Sequence, residues 1–157
     1  MLPGNIGSMD LVISQLAERL RDAEIVTAEL FSDVIRDTCR RLPSLRRTND
    51  FARFEQLIRL GAWTEAALAL LALELPQWHL RHIAHDAGEW RCLLSRRRAL
   101  PDWLDQPLEG CHADLTLAIL SAYIEAKRGD TLPDESAANI SQSDHRLDAP
   151  MCCDNFS

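Results

Sequence analysis

The sequence predicts an α+β fold, predominantly helical, with one antiparallel β-hairpin at about 78–85 and 89–95 packed on helices. Three observations carry this expectation. Apolar residues recur every three or four positions through 10–42, 51–75 and 114–128, the period of a helix face. One stretch, "WHLRHIAHDAGEWRCLLSRRR" at 78–98, instead shows near-alternation on both sides of a turn signal, the period of a strand. With 157 residues, 46% of them hydrophobic and 26% charged, the chain suits one domain with its own apolar core.

From Asp10 to Leu42 the residues Val12, Leu16, Leu20, Val26, Leu30 and Val34 line one helical face. Ser8 or Asp10 is expected to cap the start, and Pro43 to force the end. An unbroken helix of that length would run roughly 50 Å at 1.5 Å per residue, so a break near 21–27, where β-branched residues gather, is the favoured reading. Residues 1–9 are expected to form a flexible N-terminus.

Residues 43–76 read as a loop, a helix capped by Thr48, Asn49 or Asp50, a tight turn at Gly61, and a second helix capped by Thr64 and closed by Pro76. In the hairpin, "DAG" at 86–88 suits a three-residue loop, which sets His85 opposite Glu89 and His82 opposite Cys92. Trp78, Leu80, Ala84, Trp90, Cys92 and Leu94 then share one face, with Ile83 and Leu93 left awkwardly on the polar one. Residues 96–113 read as a loop with one short helical turn at "PDWLD" (101–105). Asp114 starts a helix to Arg128, apolar nearly all round, which belongs in the core or in an interface. The globular domain is expected to span 10–129. Beyond it, 130–157 is polar, acidic and unpatterned, and reads as a disordered acidic tail.

Charge is distributed unevenly. The formal net charge is −7, yet 36–59 hold seven arginines against Asp37, Asp50 and Glu55, and 81–98 hold five against Asp86 and Glu89. Two basic islands in an acidic chain point to internal or intersubunit pairing, with the acidic tail as one partner, rather than to a continuous polyanion-binding face. No apolar run approaches the roughly 20 residues that cross a bilayer, and no secretory leader is evident. Five cysteines without scaffold spacing suit a reducing compartment, and a cytoplasmic protein is expected.

The hairpin raises the question of a metal. On a strand His82 points away from His79 and His85, which themselves stand about 20 Å apart at 3.3 Å per residue. A zinc site would instead draw on His82, Cys92, Cys111 and His112, but it lacks the paired short spacings of such sites, and no metal or other cofactor is expected. There is no phosphate loop, dinucleotide fingerprint or nucleophile elbow, so an enzyme is not expected and no catalytic residue is assigned. Cys152 and Cys153 read as incidental thiols. The helix at 65–75 offers no side chain suited to reading base edges, so nucleic acid is not expected, and Arg96, Arg97 and Arg98 would carry any such contact. The residues singled out for an interaction surface are Trp78, Trp90, Trp103, Arg96, Arg97 and Arg98, with Trp63 as a further aromatic anchor.

The segments "GAWTEAALAL", "LELPQW", "GEWRCLLSR" and "LAILSAYIEA", within residues 51–128, resemble a group of small alphaproteobacterial proteins of unassigned activity. The resemblance implies a common domain and a bacterial cytoplasmic setting, and it transfers no functional residue. The expected function is a non-catalytic protein-interaction or regulatory role, as a homodimer formed through the N-terminal helix, the 114–128 helix or the hairpin edge. The alternatives are a small nucleic-acid-binding regulator and a Cys/His metal protein.

Overall fold

The computed structural model describes residues 5–96 and 106–131. Its chain order is α1 (Asn5–Asp22), α2 (Ala28–Thr38), α3 (Leu42–Leu45), α4 (Asn49–Arg59), α5 (Trp63–Glu74), β1 (Trp78–Asp86), β2 (Glu89–Arg96), β3 (Leu108–His112) and α6 (Leu115–Thr131). The architecture is α+β and mostly helical, as expected. Trp103, Arg97, Arg98 and the helical turn anticipated at 101–105 lie outside the described residues, as does the tail beyond 131.

The long N-terminal segment does break where its β-branched residues gather, between Asp22 and Ala28. Thr27 restarts the helix by accepting the Leu30 N–H at 3.2 Å. Asp33 on α2 then ties the two helices, meeting Arg19 at 2.7 Å and Arg36 at 2.8 Å. The Arg19 hydrogen bond, aided by the charge of Arg36, holds the Asp33 carboxyl below the usual carboxylate range. Two details of this region differ from expectation. Helix α1 begins at Asn5, ahead of both proposed caps. Helix α2 stops at Thr38, and Pro43 opens the short α3 instead of ending a helix, a role its fixed φ and missing N–H permit.

Helices α4 and α5 form the expected αα-hairpin. Thr48 accepts the Phe51 N–H at 3.2 Å, and Gly61 turns the chain with φ +71°. Thr64 is not the cap of α5: the helix starts at Trp63 without a side-chain cap. Its hydroxyl instead lies 2.7 Å from that of Thr116, joining the starts of α5 and α6. Phe31, Phe54 and Trp63 fuse α2, α4 and α5 into one aromatic cluster, with centroid separations of 6.4 Å and 5.5 Å from Phe31.

The sheet has three antiparallel strands in the order β1-β2-β3. The third strand corrects the reading of 96–113 as a loop. Five residues with a central glycine carry too little alternation to announce a strand; pairing with β2 makes them one. The hairpin register is also corrected near the turn. Ala87 and Gly88 have φ of 52° and 86°, a two-residue loop of two left-handed residues, so Asp86 rather than His85 faces Glu89. Ile83 therefore lies opposite Cys92, and His82 opposite Leu93. A bulge between Leu80 and His82 then restores the expected Leu80–Leu94 pair. That extra residue turns Ile83 to the face of Cys92, where strict alternation from Leu80 would turn it away.

Helix α6 lies across the sheet and forms the centre of the molecule. Leu117, Ile119, Leu120, Tyr123 and Ile124 on it are fully buried, while Ile13, Leu16 and Leu20 of α1 join the same core from another element. Asp114 caps it by accepting the Leu117 N–H at 3.0 Å. The helix meets β3 at Gly110, where a Cβ would stand 2.4 Å from both the Ala118 carbonyl oxygen and the Ala122 nitrogen. Only a residue without a side chain lets helix and strand approach so closely.

Candidate interaction groove

The turn that follows α2 is held by one side chain. Glu74, at the end of α5 and wholly buried, accepts the backbone N–H groups of Arg40 at 2.5 Å, Arg41 at 2.8 Å and Leu42 at 3.1 Å. Lys127 of α6 completes the arrangement at 3.1 Å. These N–H groups are the ones a longer α2 would have used within itself, so the carboxylate ends α2 and starts α3. Each has a partner, and so has the buried charge, as burial demands.

Beside the clamp sits a second buried polar cluster. Thr38 donates its hydroxyl to the Val34 carbonyl at 2.6 Å, which leaves the Tyr123 hydroxyl as donor to Thr38 at 2.9 Å. The Cys39 sulfur lies 3.5 Å from the same tyrosine oxygen, and its S–H is the hydrogen left to donate. Burial pushes the Cys39 thiol up to about 11 and the Tyr123 phenol higher still. Cys92, enclosed between sheet and α6, is likewise pushed up to about 11 by burial. Both thiols are therefore protonated at neutral pH and poor nucleophiles.

A pH dependence follows. A group whose folded-state pKa is raised contributes stability that is complete below its unfolded value and declines as pH rises through the folded one. The thermal midpoint is expected to fall as pH rises from about 8.5 to 11, and Cys92→Ala to make that fall shallower. Peptide-resolved alkylation at pH 8 is expected to label the exposed Cys111 in the native protein but the buried Cys92 only after denaturation. Rapid native labelling of Cys92 would contradict its enclosure.

The clamp positions a groove of about 370 Å³ between α2, α3 and α4. Ile35, Leu42, Phe51, Phe54 and Ile58 provide its apolar floor. Arg36, Arg46 and Glu55 stand at its rim. The groove coincides with the first basic island: Arg53 and Arg59 are exposed on α4, and Arg40, Arg41 and Arg47 on the connections either side of α3.

The residues expected to matter on the hairpin are placed differently. The pairing puts Cys92 and His112 on the face toward α6, and His82 and Cys111 on the opposite face, so the four do not converge. His112 has a structural task, its Nδ1 accepting the Asp114 N–H at 2.9 Å. Among the described residues no group of three or more His, Cys, Asp and Glu side chains is placed to hold a metal ion. Trp78 is 4% exposed and belongs to the core, with the Arg96 guanidinium 5.2 Å from its ring centre. Trp90 is half-buried and packs on His85 at 4.7 Å between centroids. Trp63 is part of the aromatic cluster. Sequence reasoning missed both the groove and Glu74. The only signal for Glu74 was an acid inside the apolar run 66–75, which marks a buried carboxylate in need of partners.

Among the described residues no helix is long and apolar enough to cross a membrane. Comparisons with protein-family models, with curated proteins and with solved structures find no match to this chain.

Proposed function

We propose that this chain is a non-catalytic protein-interaction or regulatory module of the bacterial cytoplasm, working as a homodimer. The observation that carries this reading is the groove between α2, α3 and α4, an apolar floor with a charged rim, the anatomy of a surface that binds a protein segment. Its volume and apolar floor suit a few apolar side chains of a docked segment, with the charged rim meeting the polar residues beside them. For self-association, the in-chain burial of Ile13, Leu16 and Leu20 on α1 and of most of α6 leaves the outer edge of β1 as the route among the three considered.

Two measurements test the reading. Light scattering on the full chain is expected to give twice the 17.7 kDa chain mass, and a mass of one chain at all concentrations would remove the dimer. Affinity capture from the source cell is expected to retain proteins that a chain carrying Ile58→Glu loses. Identical capture by both chains would remove the groove as the binding surface, and bound nucleic acid detected at 260 nm would favour the arginine-based alternative.

A further inference from the structure

We propose that the acidic C-terminal segment of this chain, residues 132–157, docks in cis on the groove between α2, α3 and α4. The proposal rests on the reading of that groove as an interaction site and names its resident ligand. Three observations lead to it. The first is charge: five acids, Asp134, Glu135, Asp144, Asp148 and Asp154, stand in the segment against Arg146 alone, while the groove lies in an island of seven arginines against three acids.

The second is position. Lys127, one turn before the end of α6, touches Glu74, which in turn holds the backbone of Arg40, Arg41 and Leu42. Leu42 and Cys39 line the groove, and Cys39 lies against Tyr123 of the same helix. The segment therefore leaves α6 next to the basic island. Its 26 residues span up to roughly 85 Å when extended, at about 3.3 Å each, far more than the groove requires.

The third is the apolar floor. Ile35, Phe51 and Ile58 are only half-buried, so an apolar residue laid on them removes surface from water. The segment carries Ile140 and Leu147 at positions flanked by its acids. A tethered segment acts at an effective concentration of about 1 mM, so an intrinsic Kd of ~0.1 mM already gives roughly 90% occupancy. Ion pairing of this kind weakens with salt, which makes the contact displaceable by a tighter, equally acidic partner.

The test uses the full chain. Hydrogen exchange of residues 35–58 is compared with that of a chain in which the five acids are neutralised as Asp→Asn and Glu→Gln. At low salt we expect roughly tenfold faster exchange in the neutralised chain, in line with the occupancy above, and convergence of the two at 0.5 M salt. A benzophenone amino acid in place of Ile140 is then photolysed. Crosslinks to residues 35–58 within a single chain support the proposal. Unchanged exchange, or crosslinks to the sheet, overturns it. Crosslinks between two chains also overturn the cis contact and assign the segment to a second copy. The capture difference produced by Ile58→Glu is independent of these readouts, so loss of the cis contact leaves the groove's role as a protein-binding surface separately decidable.

Discussion

Replacing Glu74 by alanine is expected to destabilise the protein by about 3–5 kcal/mol, the range for breaking a buried ion pair by removing one partner. In a chain of this size that corresponds to a fall in Tm of roughly 10 °C or more. Three buried or half-buried backbone N–H groups lose their acceptor at once, and Lys127, whose side chain is only 14% exposed, loses its counter-charge. Lys127→Met is expected to cost less, because the carboxylate keeps its three backbone donors. Glu74→Leu is not expected to recover stability, since an apolar side chain of similar volume leaves the same N–H groups without a partner. Chemical denaturation measures all three, and native-state hydrogen exchange at Arg40–Leu42 locates the loss. A Glu74→Ala protein within 1 kcal/mol of the parent would show that the clamp does not hold the turn.

Gly110→Ala is the second large effect. The new Cβ would stand 2.4 Å from two backbone atoms of α6, so the strand or the helix must shift. Overpacking of this kind costs about 1–3 kcal/mol and sometimes more. The atoms met are a carbonyl oxygen and an amide nitrogen, not the tip of a flexible side chain. Ala122→Gly removes the third contact, the Ala122 Cβ at 2.8 Å, but leaves the two backbone contacts, so it is not expected to rescue. Full rescue by Ala122→Gly would place the clash on the side chain and refute the account. Gly88→Ala makes a useful comparison: its φ is +86° and a Cβ there meets nothing within 4 Å. Its cost is conformational alone, about 1 kcal/mol.

Most elements were legible in the sequence where local chemistry decides them. Thr48, Gly61 and Asp114 mark ends that their own side chains or backbone freedom satisfy within a few residues, and the structure places them in those roles. The break after Asp22, the αα-hairpin and the β1–β2 hairpin follow from periodicity and turn residues alone. The end of α2 was not legible, because the acceptor that ends it comes from Glu74, more than thirty positions away. Nor was β3, which becomes a strand through its ladder with β2 and through the glycine that admits α6.

The same division runs through the site. Composition and spacing marked the basic island at 36–59, but the assembly of Ile35, Leu42, Phe51, Phe54 and Ile58 into one floor needed three helices in place. The metal candidates fail for a related reason. A one-residue change in turn length moves His82 from opposite Cys92 to opposite Leu93, and strand pairing then sends the four candidates to two faces. The amino-acid sequence by itself determined the helical periods, the caps at Thr48 and Asp114, the turn at Gly61 and the hairpin, because those depend on neighbours within a turn or two. Tertiary structure alone decided the register, the third strand, the Glu74 clamp and the groove, because each depends on groups far apart in the chain whose burial makes an unpaired polar atom or an overlapping methyl too costly to keep.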